Sequence, residues 1–220
     1  MNKYIEYVLS VPKSFYFCVR CMPFMRALRL PIFVRYNVLV RHIGKIETGG
    51  QFSSVRIGFG DVGIFDKKRE RTIWDNMGKV TFEGKSYIGN GSRIVVGKNG
   101  QWTVGDNFIC TSTMSLICFR NITMGRNVLI SWDTLLMDTD HHYIAKVGEI
   151  YTAVNEKEIA IGNHVWIGCR VTVLKGVTLY DDNVVAAGSV VTKSFKEKSV
   201  LIAGNPAAVR REGIEWIIER

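Results

Sequence analysis

Residues 159–191 read IAIGNHVWIGCRVTVLKGVTLYDDNVVAAGSVV. Within this stretch Ile161, Ile167, Val173, Leu179, Val185 and Val191 follow one another at intervals of six. Val165, Val171 and Val177 each stand four residues after one of the first three. A period of six fits neither an amphipathic helix nor a plain alternating strand. It marks a β-solenoid, in which each short repeat is one flat side of a coil. Three hexapeptides close a triangular coil. The first residue of each points inward and must be apolar; the next is small, because the chain bends tightly there. Coils stack at about the interstrand spacing of 4.7–4.9 Å, so each buries a face on its neighbours and stability accumulates along the stack.

Upstream, Met124, Ile130 and Leu136 are again six apart. Ile57-Gly58, Ile88-Gly89, Val96-Gly97, Val104-Gly105 and Met124-Gly125 pair an apolar residue with glycine. Gly89-Asn90, Gly105-Asp106-Asn107 and Gly162-Asn163 add turn residues that tolerate left-handed backbone angles. These earlier repeats are irregular, and the register is clean only from Met124. Between His142 and Ile159 the period vanishes, in a stretch holding Lys146, Gly148, Glu149, Asn155, Glu156, Lys157 and Glu158. It is expected to be a loop excursion between two coils, and long excursions in compact domains are often functional.

Residues 1–45 differ from the rest. Tyr4, Ile5, Tyr7, Val8, Phe15, Tyr16, Phe17, Phe24, Met25, Leu28 and Leu30 are interleaved with Lys3, Lys13, Arg20, Arg26, Arg29, Arg35 and Arg41. Pro12, Pro23 and Pro31 punctuate two short helices. One reading is a helical cap over the open end of the solenoid, which repeat folds need. The other is an amphipathic surface in peripheral contact with an anionic membrane. The expected organisation is a cap over 1–45, a β-helix over 46–205 with its excursion at about 142–159, and a tail with a short helix over 206–220.

The chain has 220 residues, 47% hydrophobic and 22% charged, enough for a repeat domain with a small cap. Its longest apolar stretches are broken well before the roughly 20 residues of a membrane span, and the N-terminus lacks a secretory pattern. A cytoplasmic protein is expected. The net charge of +9 fits a phosphorylated ligand, an anionic membrane or nucleic acid. The charge is spread along the chain, which disfavours nucleic acid. Five cysteines (Cys18, Cys21, Cys110, Cys118, Cys169) include one lone C-x-x-C, so reduced thiols are expected rather than zinc.

The run IAIGNHVWIGCRVTVLKGVTLYDDNVVAAGSVVTKSF (159–195), followed by IAGNPAAVRR (202–211), resembles the hexapeptide-repeat acyltransferases. The resemblance covers roughly residues 85–212. It implies an all-β fold, a left-handed parallel β-helix. The stretch ISWDTLLMDTDHHYI (130–144) is most similar to the enzymes that O-acetylate sugars in capsule, lipopolysaccharide and exopolysaccharide synthesis. The family implies acetyl-CoA as donor and no metal. It also implies a homotrimer with active sites between adjacent subunits, and a glycan or sugar-nucleotide acceptor.

Acetyl transfer from a thioester to a hydroxyl needs a base that works near neutrality, a role that suits histidine. Of His42, His141, His142 and His164, the pair 141–142 sits where the excursion leaves the coil. By resemblance to a D-x-D-aromatic-H pattern His142 is the expected base and His141 takes the aromatic slot. Adjacent residues on an extended chain point opposite ways, so one of the two faces the cleft, and His141 is the alternative base. Asp138 or Asp140 would orient the imidazole; the other reading is that both cap turns. Trp132 and Asp133 would line the acceptor site, although a tryptophan at a coil corner also serves packing.

The resemblance places the donor on the C-terminal coils. Trp166 would pack beside the thiol end of the coenzyme, and Cys169 would meet the same arm without acting as a nucleophile. Ala187 and Gly188 would leave room for pantetheine, followed by Thr192. Lys193, Lys198, Arg210 and Arg211 would meet phosphate oxygens. Three rival readings stand beside this one. An N-acyltransferase could act on a nucleotide-linked amino sugar. A zinc carbonic anhydrase on the same helix would need three histidine ligands, which 141 and 142 are poorly spaced to share. A non-catalytic scaffold would not need the histidine, the tryptophan and the basic tail.

Overall fold

The computed structural model describes residues 3–60, 62–66, 69–143, 145, 147–148 and 155–217. Three parallel sheets form the sides of a prism. Sheet A stacks Ile32–Val34, Val55–Phe59, Ser86–Gly89, Phe108–Cys110, Leu129–Ile130, Trp166–Ile167, Val184–Val185 and Val200–Gly204. Sheet B stacks Leu39–His42, Ile73–Asn76, Arg93–Val96, Ser115–Cys118, Leu135–Met137, Thr172–Leu174 and Val190–Val191. Sheet C stacks Lys45–Thr48, Lys79–Phe82, Gln101–Val104, Asn121–Met124, Ile159–Ile161 and Thr178–Leu179. The chain visits A, B and C in turn, coil after coil, as a left-handed parallel β-helix.

Every residue of the six-residue ladder points into the prism. Ile161, Ile167, Val173, Leu179, Val185 and Val191 are at most 4% exposed, and Val165, Val171 and Val177 are fully buried. The register explains why the period is clear only late. Residue partners on neighbouring coils lie 22 apart from Ile88 to Cys110, 20 from Cys110 to Ile130, and 18 from Ile167 to Val185. Only the last spacing equals three hexapeptides. The longer coils carry four-residue strands in sheet C with two inward side chains each, such as Trp102 with Val104 and Ile122 with Met124. Aromatic residues fill that wider end, with Trp74, Phe82, Trp102 and Phe108 in successive ring contacts.

The corners use left-handed backbone. At the A–B corner Gly91, Thr113, Asp133, Arg170 and Gly188 all have positive φ, and at the C–A corner so do Asn107, Asn127, His164 and Asp182. Side chains knit successive corners: Asn107 Nδ2 donates to Asn127 Oδ1 at 2.8 Å, and Asn163 Oδ1 accepts the Arg126 N–H at 2.9 Å.

The expected boundaries shift at both ends. Ile32–Val34 already pairs in register with Val55–Ile57, so the solenoid begins before residue 46. Its strands Ile32–Val34, Leu39–His42 and Lys45–Thr48 lie one long coil from the next, with Ile32 paired to Val55 rather than to a residue 18 on, which hides this first coil in the sequence. At the other end residues 207–212 are a strand, antiparallel to Val200–Gly204 and turned at Asn205-Pro206. The short helix expected there is absent among the described residues up to 217. A last solenoid strand exposes backbone donors and acceptors, and a folded-back strand satisfies them.

The N-terminal segment is helical over α1 (Lys3–Cys21) and α2 (Phe24–Ala27). Helix α1 closes the prism at its first coil. Phe17 and Cys18 are fully buried and join the core, with Phe17 edge-on to Trp74. The Ser14 hydroxyl accepts the Val34 N–H at 2.9 Å, and the Ser10 hydroxyl accepts the Tyr36 N–H at 3.0 Å. Removing the Ser14 hydroxyl leaves a buried N–H unpaired. Ser14→Ala is expected to destabilise the fold by about 1–3 kcal/mol, measurable as a lowered urea midpoint with unchanged slope.

Candidate active site

The excursion begins earlier than its loss of period suggests. Asp138–Asp140 and residues 155–157 form an antiparallel stem: Asp140 N–H donates to Asn155 O at 2.9 Å, Lys157 N–H donates to Asp138 O at 2.9 Å, and Thr139 bridges Glu156. Lys175 on the next coil forms an ion pair with Asp140 and ties the stem down. Lys146 and Glu149 of the expected loop lie outside the described residues.

Asp138 does not orient a histidine, contrary to one of the two readings from sequence. Its carboxylate is fully buried and accepts three backbone N–H groups, from Phe119 at 2.8 Å, Arg120 at 2.9 Å and Asn121 at 2.8 Å. It caps the preceding B–C corner, taking up three successive amides there. Asp140 is committed to Lys175. Neither carboxylate is paired with an imidazole.

Three of the four histidines are engaged. His42 Nδ1 lies 2.8 Å from Asp75 Oδ1. His164 Nδ1 lies 2.9 Å from Asp182 Oδ1, and its ring stacks on Trp216 with centroids 4.3 Å apart. His141 has positive φ, donates its N–H to Thr139 Oγ1 at 3.0 Å, and sets its ring edge-on to Phe119 with centroids 4.8 Å apart. His142 is exposed and has no hydrogen-bond partner among the described residues.

The other candidates stand elsewhere on the prism. Trp132 and Asp133 occupy the A–B corner, where Asp133 N–H donates to Thr113 Oγ1 at 2.9 Å and its carboxylate lies 4.0 Å from Arg170 Nε. Cys169, Ala187 and Gly188 line the same corner on later coils, with Gly188 N–H donating to Cys169 O at 2.9 Å. Ala187 and Gly188 are exposed. Trp166 begins a strand of sheet A, is 37% exposed, and donates its indole N–H to Ser131 Oγ at 3.2 Å. Thr192 and Lys193 follow sheet B, where the Lys193 ammonium sits 5.7 Å from the Phe195 ring centroid. Exposed Arg210 and Arg211 lie on the final antiparallel strand. Lys198 is bound to Asp181 at 2.9 Å, which holds the Asp181 carboxyl below its ordinary value.

The candidates therefore fall into two groups. One, with His142, sits at the B–C corner; the other, with Trp132, Asp133, Cys169, Ala187 and Gly188, sits at the A–B corner. The strand Leu135–Met137 with its flanks separates them, about 13 Å of extended chain. One chain does not bring the groups together.

Several contributors had no sequence signal. Phe119, Thr113 and Ser131 each lie one coil from the candidate they contact. Trp216, 6.0 Å from Trp166 between ring centroids, lies fifty residues further along the chain. The thiols of the C-x-x-C pair pack against the core. Burial pushes the Cys18 thiol up, and burial with its Cys18 neighbour takes Cys21 up to about 12. Both stay neutral near pH 8. Iodoacetamide at that pH is expected to leave them unmodified in the folded chain, as peptide mass mapping would show. Among the described residues no group of three His, Cys, Asp or Glu side chains could hold a metal.

The fold is that of a left-handed parallel β-helix, with His142 exposed at one corner and Ala187 and Gly188 exposed at another. The chain belongs to the hexapeptide-repeat acetyltransferases: it is 37% identical over 153 residues to the galactoside O-acetyltransferase of Escherichia coli (strain K12), covering 66% of this chain and 69% of that one. It is also 30% identical over 126 residues to the polysialic acid O-acetyltransferase of Escherichia coli O1:K1 / APEC, covering 57% of this chain and 38% of the relative. Among solved structures the fold matches the polySia-specific acetyltransferase NeuO, with a TM-score of 0.56, 23% identity, and coverage of 86% of this chain and 79% of that one. No family profile matches the sequence.

Proposed function

We propose that this acetyltransferase moves the acetyl group of acetyl-CoA to a sugar hydroxyl of a bacterial surface polysaccharide or its precursor, in the cytoplasm. The single observation that carries the chemistry is the open His142. It is the one histidine without a partner among the described residues, at the mouth of the excursion. In this reading its imidazole takes the proton of the acceptor hydroxyl as the oxygen attacks the thioester carbonyl. A C–O bond forms and the C–S bond breaks. The CoA sulfur then leaves with the proton that His142 returns, and no covalent enzyme intermediate is needed. The exposed pair Ala187 and Gly188 gives the pantetheine arm a low wall, with Trp166 near its thiol end and Arg210 or Arg211 within reach of phosphate oxygens. Trp132 and Asp133 present an aromatic face and a carboxylate to the sugar.

The two-corner arrangement supports a homotrimer in which His142 of one copy meets the donor groove of the next. The outward residues of sheet B fit such an interface: Ile117, Leu135, Met137 and Leu174 are apolar and only partly buried. Sheet C instead presents residues such as Gln101, Thr103, Asn121 and Thr123 outward.

The test supplies acetyl-CoA with a panel of polysaccharide repeat units and reads products by mass spectrometry. A gain of one acetyl group, labile to mild base, on a glycan hydroxyl is expected. Acetylation confined to the amine of a nucleotide-linked amino sugar would overturn the proposal. On the donor side, Trp166→Ala is expected to raise KM for acetyl-CoA about tenfold with a smaller change in kcat, as loss of a contact shared by ground and transition states.

A further inference from the structure

Helix α1 carries apolar residues on its outward face as well as on the inward one, where Phe17 and Cys18 join the core. A surface helix turns its apolar stripe to the core and its polar face to water. Here Ser10 and Ser14 are completely buried. Glu6 turns back to an ion pair with the buried Arg35, and Lys13 donates to Tyr36 O at 2.9 Å. The outward positions are apolar: Ile5 is 51% exposed, Val8 70%, Leu9 49% and Tyr16 56%. Phe15 meets Phe24 edge-on at 6.3 Å, so the face continues onto α2, where Met25 is 74% exposed. This is no remnant of poor packing, because the polar groups are all satisfied inward.

The exposed charges of residues 4–30 are cationic without exception: Arg20, Arg26 and Arg29. Helix α1 covers the first coil, and the first strands of sheets A, B and C end their stacks there. Tyr7 packs on Phe33 and Phe59 of sheet A, with ring centroids 5.6 and 5.0 Å apart, and Ile5, Val8, Leu9 and Tyr16 are left facing solvent. A second copy docked there about a two-fold axis would set the arginines of both copies against each other with no exposed acid in the segment to offset them. Anionic headgroups offer the complementary charge, and the acyl boundary takes the aromatic and aliphatic side chains. No described helix is long and apolar enough to cross a membrane, so α1 would lie in the plane of the surface.

We infer that the α1–α2 face docks this protein to an anionic lipid bilayer. The inference rests on the face alone and on no part of the catalytic reading. Cosedimentation of the full chain is measured with vesicles of phosphatidylcholine alone and of phosphatidylcholine mixed with phosphatidylglycerol. Binding to the mixed vesicles is expected, weakened by salt and at least about tenfold poorer on the neutral ones. The double variant Val8→Asp/Tyr16→Asp should lose it, and Arg26→Glu/Arg29→Glu should lose about tenfold or more. Both should keep the circular dichroism, the oligomeric mass and the turnover of a soluble acceptor. Absence of binding to the mixed vesicles would overturn the inference. So would a fall in oligomeric mass in Val8→Asp/Tyr16→Asp with lipid binding intact, which would assign the face to another copy of the chain.

Discussion

Under the proposed mechanism, replacing His142 with alanine is expected to lower kcat for acetyl transfer by about 10²–10⁴-fold, the span that a positioned general base contributes. The loss should fall on kcat, with KM for acetyl-CoA close to wild type, because in this proposal the imidazole acts on the acceptor proton rather than on donor binding. Thiol release from acetyl-CoA under saturating acceptor reads both constants. His141 supplies the control. Its ring rests against Phe119 and its backbone bonds to Thr139, so His141→Ala should cost much less than the neighbouring change. A dead His141→Ala with a near-normal His142→Ala would reverse the assignment.

The second large effect is on stability. Asp138→Ala removes the acceptor for three backbone amides at a buried corner. Each buried donor left unpaired costs about 1–3 kcal/mol, and more where the partner was charged. A total of at least about 3 kcal/mol is expected, large against the 5–15 kcal/mol by which domains are typically stable. Asp138→Asn keeps one carbonyl acceptor but turns an NH₂ towards a donor, so it should recover only part of the loss. Urea denaturation separates the three proteins. Activity that vanished in Asp138→Asn with stability unchanged would instead return this residue to the catalytic machinery.

The part of the fold that could be read early is the part with coils of 18 residues. From Ile161 onward the inward positions recur at a constant interval, and all of them are buried. Coils of 20 and 22 residues shift the phase at every turn, and inward Trp74, Trp102 and Cys110 do not read as one ladder with Ile and Val. The first coil was hidden for that reason. The candidate residues divide in the same way. His142 was picked out as the candidate base by the resemblance, from its place after D-T-D at the edge of the ladder. For Asp138 the turn-capping alternative is the one the structure shows, but its particular partners, amides of the preceding coil, carry no residue signature. Trp216 and Phe119 were equally silent, since a solenoid brings together residues from whole coils away.

The central claim is that a complete site needs two copies, with His142 from one and the donor groove from the next. It is tested by mixing two inactive chains. His142→Ala removes the proposed base, and Ala187→Trp fills the proposed donor site at an exposed position outside the core. The two are unfolded together, refolded in equal amounts and assayed for acetyl transfer. Random assembly of a trimer gives about one quarter of its sites an intact histidine facing an intact groove, so the mixture should regain about that share of wild-type activity. No recovery in a mixture that refolds to trimers would contradict the account and confine the site to a single chain.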